Sequence, residues 1–461
     1  MIPLSPPLIK LIERLSSEGI QPIFVGGFVR DHFSGHTTTD LDIELYGITS
    51  LEALEAILRP FGKLGLYGKS FGVLKLSYEG YSIDFAPPRT ESKSGFGHKG
   101  FEVAWSSELN FTDAARRRDF TINAIGYDPL TQSLLDPYNG IEDLQTKTLR
   151  CVDPETFIDD PLRILRAMQF AARYELTCDN TLLALCRDMI AKGALEELPK
   201  ERIFEEFKKL LLLSKSPSIG MNLLRDMGGL PFFAPLDRFE STPQESSSHP
   251  EGDVWVHTLM ALDFMATLRC GAWRRDIVLM LATLLHDLGK PDTTVMVEGV
   301  LNAPKHAEAG VDLARTWLGK ITEDKDLIEA ILPLIHYHGW PRKLFRQNAN
   351  DSEVLHLSTK VCIDDLITIA KADFFGRSFN DTIPKEFEAG VWLHERASGL
   401  GVLHAPPSPL LLGRDLIALG LTPSEAFKPL LETAYEAQLN QIFFTHEEAI
   451  EWLKEHLVTE P

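Results

Sequence analysis

The sequence predicts an α/β unit at its N-terminal end followed by an all-α remainder. Three observations carry that expectation. Between about residues 20 and 90, the runs "LDIELYG", "VLKLSYEG" and "YSIDFAPPR" alternate apolar with polar residues and are broken by Gly and Pro, which is the period of strands. From Pro161 onward apolar residues recur three or four apart, the period of helices, in "PLRILRAMQFAARYEL", "NTLLALCRDMIAKGALEEL" and "KERIFEEFKKLLLL". A chain of 461 residues is about three times a usual domain length, so it divides into two to four packed units.

In chain order, "PLIKLIERLSSEGI" has helical spacing and stops at Gly19, and "PIFVGG" reads as a short strand entering a tight turn. The segment "RTESKSGFGHKGFEV", 89 to 103, mixes Gly with polar residues and reads either as a mobile loop near a site or as an exposed β-connection. "ESTPQESSSHPEG", 240 to 252, has no apolar period and reads as a linker opening a further unit. "PPSPLLLGRDLIALG" and "AFKPLLETAYEAQLNQ" read as a helical tail. The expected divisions are 1–147, 148–240, 250–378 and 379–461.

A net charge of −20 argues against a uniformly polyanion-binding surface, because nucleic-acid affinity comes from Lys and Arg on phosphates. The basic groups "ARRRD" at 115–119 and "RDMIAK…PKERIFEEFKK" at 187–209 still allow a local positive groove. The start lacks the basic flank of an export signal and the longest apolar run, Ile277 to Leu285, is too short for a bilayer, so the expectation is a cytoplasmic protein without a membrane partner. The five cysteines are scattered without C-x-x-C spacing, as reduced thiols would be.

The stretch "FVGGFVRDHFSGHTTTDLDIELYG", 24 to 47, carries the first candidate site. Strand alternation sends Asp40 and Asp42 to one face with Leu41 turned inward. Two adjacent carboxylates repel each other, and a divalent cation between them relieves this; hard oxygen ligands suit Mg²⁺ that also takes phosphate oxygens. Asp84 offers a third carboxylate, as a base or a second metal ligand. Gly26 and Gly27 fit a turn whose bare backbone N–H groups approach a triphosphate, followed by a helix N-terminus and Arg30. The combination G-G-x-V-R-D with D-x-D nine residues after that Asp is far more specific than either part.

With "RRRDFTINAIGYDP" at 116–129, "DPYNGIEDLQTKTLR" at 136–150, "DDPLRILRAMQFAARY" at 159–174 and "ERIFEEFKKLL" at 201–211, the chain resembles the polymerase-β-like nucleotidyltransferases. More narrowly it resembles the class II tRNA nucleotidyltransferases, the CCA-adding enzymes, and their bacterial poly(A) polymerase relatives. The resemblance implies a polymerase-β-like α/β head followed by all-α neck, HD and tail regions. It implies Asp40 and Asp42 as Mg²⁺ ligands, Gly27 and Arg30 at the triphosphate, and Arg118 with Asp119 around the ribose. The helix after Asp160 would read the base, with Asp160 and Arg163 offering an acceptor beside donors and Arg166 extending that face. A bare D-x-x-R also fits a plain intrahelical salt bridge. Gln169 and Asp159 stand where many family members have Arg and Glu.

Beyond residue 250 histidines concentrate, with His257, His286 beside Asp287, His306, His336 and His338, and Asp373 near them in the chain. "HPEGDVWVHTLMALD", "LATLLHDLGKP" and "LITIAKADFFGR" place His257, His286 with Asp287, and Asp373 on three predicted helices. Imidazole with carboxylate suits Mn²⁺, Ni²⁺, Zn²⁺ or Fe²⁺. The H…HD…D order resembles the HD phosphohydrolase domain, in which an activated water attacks a phosphoester. His306 and His336 fit either phosphate or second-metal contacts or ordinary surface and core histidines. The function these resemblances imply is template-independent addition of C, C and A to the tRNA 3′ end from CTP and ATP, with phosphohydrolase work at the HD site. The alternatives are an A-adding enzyme or poly(A) polymerase and, from other classes, an HD phosphohydrolase or a non-catalytic RNA-binding protein.

Overall fold

The computed structural model describes residues 2–67, 72–93, 101–105, 109–378 and 386–458, and the chain forms two compact units, Met1–Ala234 and Pro235–Pro461. The first unit is built on strands β1 (Gln21–Val25), β2 (Asp40–Tyr46), β3 (Lys63–Tyr67), β4 (Val73–Tyr78), β5 (Tyr81–Ala86), β6 (Arg89–Lys93), β7 (Phe101–Trp105), β8 (Gly126–Asp128) and β9 (Ser133–Leu135). Seven of them form one sheet in the order β3-β4-β5-β2-β1-β8-β9, and β6 pairs with β7 as a hairpin. The stretch 89–103 therefore begins and ends in paired strands, and residues 94–100 lie outside the described residues.

Strand β2 shows why its sequence belongs in the centre of the sheet. Leu41, Ile43 and Leu45 are at most 1 % exposed, while Asp40 and Asp42 point to the open face. Each such aliphatic burial contributes about 1.5–3 kcal/mol. Strand β2 runs parallel to β5, and that register sets Asp42 directly beside Asp84. Glu44, on the polar side of the alternation, is nonetheless buried, and it survives there by accepting from Arg117 Nη2 at 3.2 Å and Tyr46 Oη at 3.2 Å.

The helix Leu162–Tyr174 packs against Lys200–Leu213 and Pro217–Asp226, burying Leu165, Met168, Phe207 and Leu224. In the second unit, helices Val254–Thr267, Trp273–Leu285 and Ile363–Phe375 pack on one another. Every residue from Asp276 to Leu285 is buried, so this helix is apolar nearly all round, and a charge at Leu281 would have no route to water. The tail has a small core of its own, with Leu411, Leu416, Ala434, Phe443 and Leu453.

Two sequence expectations change. The all-α remainder is interrupted by a hairpin, Val295–Val297 with Val300–Asn302, because β-branched residues flank Glu298 and Gly299, both at positive φ. The stretch 240–252 is not a free linker. It is tied back by the bonds from Val254 N to Thr242 O and from Gln244 N to Gly252 O, both 3.1 Å. All five cysteines are free thiols, with Cys186 buried and Cys270 exposed. Among the described residues no helix is long and apolar enough to cross a membrane.

Candidate functional site

The first unit holds a cleft of about 530 Å³ at the open end of β1 and β2. Gly26, Gly27, Arg30, Asp42, Arg118, Asp119, Asp160, Arg163 and Arg166 line it, so most of the residues read from the sequence meet there. Asp40 shares Asp42's side of β2 and Asp84 is its register neighbour. Asp42 has solvent access yet lies deep in the concavity. That enclosure raises its pKa first, Asp84 and Asp40 push the same way, and Arg118 and Arg30 offset them only in part. An acid held in this state is one that a cation would relieve. Gly26 stands at φ 64, where a Cβ would sit 3.3 Å from both Arg118 Nη1 and Asp42 Oδ2, so the turn stays bare and its backbone can approach a ligand.

The arginines form a frame around this opening. Arg30 was expected at a triphosphate, but its Nε and Nη2 donate to Asp31 Oδ1 at 2.9 and 2.7 Å and its Nη1 to Asn123 Oδ1 at 2.5 Å. Its guanidinium also lies over the Phe170 and Tyr174 rings, so Arg30 is held in place at the cleft that it lines. Burial alone would raise the Asp119 carboxyl, yet Arg166 and Asn123 hold it below its usual range, with Arg166 Nε 2.6 Å away.

Asp160 and Arg163 each have partners outside the intrahelical pairing that bare spacing allows. Asp160 accepts from Leu162 N at 3.0 Å, capping the helix, and receives Arg202 Nη1 and Nη2 at 3.3 and 3.0 Å. Arg163 donates to the carbonyls of Thr156 and Arg117 at 2.8 and 2.6 Å. Both stand in the cleft wall with fixed orientations. Arg202, which holds Asp160, went unnoticed in the sequence because the pair is 42 residues apart on different helices.

In the second unit His257, His286, Asp287 and Asp373 converge as expected. His257 Nε2 lies 3.2 Å from Asp373 Oδ1 and 3.8 Å from Asp287 Oδ2, and His286 Nε2 lies 3.2 Å from Asp287 Oδ2. His306 joins them, its Nε2 3.5 Å from Asp287 Oδ1 and 3.3 Å from His338 Nε2. His336 does not; it packs against Tyr337, and His338 takes the position. Gly289 makes this approach feasible, because a Cβ there would lie 2.1 Å from the carbonyl oxygen of His306.

The ring Nδ1 atoms face acceptors throughout: Glu251 for His257 at 2.9 Å, and the carbonyls of Thr283, Ala303 and Ile335 for His286, His306 and His338 at 2.7, 2.8 and 2.7 Å. Carbonyls only accept, so in the neutral rings Nδ1 carries the proton and Nε2 presents a lone pair inward. His257 Nε2, His286 Nε2 and Asp287 Oδ1 are buried without a hydrogen-bond partner, and Asp287 Oδ2 is met by the Lys290 ammonium at 2.6 Å. Buried orphans of this kind, all of them ligand atoms, fit a divalent metal. Among the described residues three groups have their ligand atoms within 4.8 Å of one another: His249 with Glu251 and His257, His257 with His286 and Asp373, and Asp287 with His306 and His338. Burial would raise the Asp287 carboxyl, but His286 and Lys290 hold it well below the carboxylate range. Burial likewise disfavours charge on His338 and pushes it down to about 3, with His286 and His306 adding to the effect. A cavity of 370 Å³ opens above, walled by Arg342, Lys343, Arg346 and Arg377.

Three family models match the chain in succession: the Poly A polymerase head domain over residues 23–150, the Probable RNA and SrmB- binding site of polymerase A over 176–236, and the HD domain over 254–373. The Multifunctional CCA protein of Methylobacillus flagellatus is 35 % identical over 322 residues, 68 % of this chain and 73 % of the relative. The chain belongs to the multifunctional CCA protein family. A relative of the same name from Halorhodospira halophila is 38 % identical over 63 % of this chain and 67 % of its own length. Among solved structures, the Bacillus stearothermophilus CCA-adding enzyme in complex with CTP superposes with a TM-score of 0.66 at 18 % identity, covering 99 % of both chains. The Thermotoga maritima CCA-adding enzyme complexed with tRNA gives 0.60 at 20 % identity, covering 98 % of this chain and 96 % of that one. At that identity the likeness is one of fold: an α/β head followed by helical regions.

Family membership leaves several of the residues described above unread from sequence. Glu251 sits in the aperiodic 240–252 stretch, and nothing in that composition marks it as the acid that orients His257. His338 did carry a signal. "HDLGKP" and "HGWP" both put a histidine at a helix end just ahead of Gly and Pro stop residues, so the second copy could have been matched to the first.

Proposed function

We propose that this protein completes the 3′ end of tRNA by adding C, C and A from CTP and ATP at the aspartate–arginine cleft, and that its HD centre hydrolyses phosphoesters at RNA ends. The observation that carries the first part is the cleft itself: an incompletely balanced Asp42 beside a bare Gly26 turn, inside a frame of fixed arginines. Divalent ions, held by Asp40 and Asp42 in the cleft and by the imidazole–carboxylate cluster in the HD centre, supply Lewis acidity and charge neutralisation when bound. Asp84, next to Asp42 on the sheet, adds negative potential where the attacking 3′ hydroxyl must give up its proton. Arg118, which borders Gly26 and Asp42, stands where charge on the phosphates develops.

Nucleotide choice falls to the wall. Asp160 presents a carboxylate acceptor and Arg163 a guanidinium, a complement to the amino and ring-nitrogen edges of cytosine or adenine. Because Arg202 and two backbone carbonyls fix them, they can act as a template without a nucleic-acid strand. In the HD centre, Lys290, Arg342 and Arg377 surround the ligand cluster and give the phosphoryl oxygens cationic partners.

The test is incubation of purified protein with tRNA lacking CCA, Mg²⁺ and labelled CTP or ATP. Incorporation of two C residues and then one A is expected. Entry of A alone, or a run of A residues, would replace this reading with an A-adding or poly(A)-forming one. A phosphatase and cyclic-phosphodiesterase assay with Mn²⁺, Ni²⁺, Zn²⁺ or Co²⁺ tests the second site, where His286→Ala should be inert.

A further inference from the structure

Beside the histidine centre lies a second cavity of 220 Å³ whose walls differ in chemistry from those of the first. The two share His249, Lys290 and His306, so they meet at the rim of the metal-ligand cluster. The larger cavity gathers Arg342, Lys343, Arg346 and Arg377 around the phosphate position. In the smaller one Lys290 is the sole Lys or Arg in the wall, and its ammonium already faces Asp287 Oδ2 and Gln244 Oε1, both at 2.6 Å. Glu245, the acid of that wall, is also committed, with its oxygens accepting from Leu301 N at 3.1 Å and Ser247 N at 3.4 Å. What remains is small and neutral: Pro243, Leu301 and Ala303 as apolar surface, with Ser248 and Asn302 as polar edge.

This wall is built before any ligand arrives. The Glu245–Leu301 bond ties the 240–252 stretch to the hairpin, Gln244 ties it to Lys290, and the bond from His306 Nδ1 to Ala303 O fixes the far side. A preformed neutral slot opening onto a cationic phosphate site suits a ligand with an uncharged planar part and a phosphoester part. At 220 Å³ it falls below the roughly 300–1,000 Å³ of drug-sized sites, which matches one nucleoside better than a longer strand.

We propose that this cavity is the nucleoside subsite of the HD centre, receiving the terminal ribonucleoside of an RNA whose phosphoester lies at the Asp287 cluster. The assignment rests on the phosphohydrolase reading above. It makes Asn302, Ser248 and Ala303 specificity determinants, and it gives the 240–252 stretch two tasks, orienting His257 through Glu251 and walling the base through Pro243 and Ser248.

Two variants test it, Ala303→Leu, which fills the slot while keeping the backbone carbonyl that His306 uses, and Asn302→Ala, which removes the amide. The first readout is the ratio of kcat/KM for a ribonucleoside 2′,3′-cyclic phosphate to that for bis(4-nitrophenyl) phosphate, an ester with no base. Ala303→Leu should lower the ratio about tenfold, mainly through KM, and Asn302→Ala about threefold. The second readout is calorimetric binding of adenosine 3′-monophosphate against ribose 5-phosphate. The N-terminal cleft contributes equally to wild type and variant, so the change on Ala303→Leu reports the HD cavity, and the preference for the nucleotide should shrink. An unchanged ratio together with an unchanged binding preference overturns the subsite and leaves the hydrolase reading standing. If the wild-type protein cleaves neither ester, the hydrolase reading falls, and the calorimetric difference alone then decides whether the cavity takes a nucleoside.

Discussion

The aspartate cleft and the histidine centre both gather acids, but they arrive at a working state from opposite directions. In the cleft, Asp119 and Asp160 are each matched by an arginine, and Asp42 is left with its pKa raised, beside Asp84 and with partial help from Arg118. The site is open and stays incomplete until a nucleotide brings phosphate oxygens and an ion with it. In the histidine centre the ligand atoms are buried and gathered on one another, their rings oriented by Nδ1 acceptors and Asp287 Oδ2 faced by Lys290 at 2.6 Å. The centre's donor atoms are already gathered and oriented by the protein. The difference teaches that one chain can hold an open site left electrostatically unbalanced and another whose donor atoms are preorganised by second partners.

The largest test is to break the two apart. Asp42→Ala should abolish incorporation of both CMP and AMP, a loss of about 10³-fold or more, while phosphoester hydrolysis continues. His286→Ala should do the reverse. If either substitution disabled both activities in a protein that still folds, the division of labour would be wrong, and parallel assays of each activity on each variant check this directly.

Metal retention sharpens the same contrast. After gel filtration without chelator, elemental analysis should find transition metal on the wild-type protein and on Asp42→Ala, but not on His286→Ala. Glu251→Gln should weaken metal affinity about 10–100-fold, because the ring of His257 loses the carboxylate that fixes its tautomer. Nucleotide incorporation, measured alongside, should not change with Glu251, which lies in the other unit.

How much of this was legible follows from the range of each interaction. Asp40, Leu41 and Asp42 could be read because a period of two places them without reference to anything distant. His257, His286, Asp287 and Asp373 could be read because their order along three helices carries a family signature. Arg202 on Asp160 and Glu251 on His257 could not, since the first pairing depends on how two helices pack and the second on a stretch without periodicity. The exchange of His336 for His338 is a matter of helix phase, two residues being enough to turn a side chain from the cluster to the flank of Tyr337. Arg30 shows what a sequence leaves out: it lines the cleft after the glycine turn, while three of its five N–H donors go to Asp31 and Asn123.

The cleft wall offers a smaller effect that bears on preorganisation. If Arg202 fixes Asp160 as an acceptor, Arg202→Ala should shift the CTP-to-ATP preference about tenfold while leaving turnover with the preferred nucleotide less affected. Arg163→Ala should change the choice of nucleotide as well. Competition between labelled CTP and ATP on tRNA ending in one or two C residues measures this. Equal slowing with both nucleotides would make Asp160 and Arg163 structural.

The smallest effect lies outside both sites and shows what ionisation is worth at the surface. Asp324 caps the helix Lys325–Tyr337 by accepting from Leu327 N at 2.9 Å and pairs with Arg274. Arg274 first, and the capped N–H second, bring its pKa from 3.8 to about 2. A carboxyl whose folded pKa is depressed stabilises fully above its unfolded pKa, and the benefit is lost as pH falls toward and through about 2. Asp324→Asn keeps an oxygen for the cap and removes the charge. The wild type should therefore melt about 1–2 °C above the variant at pH 5, the group being partly exposed and screened, and the gap should close as pH drops from 4 to 2. A gap that stayed constant across that window would assign the difference to the cap rather than to the ion pair.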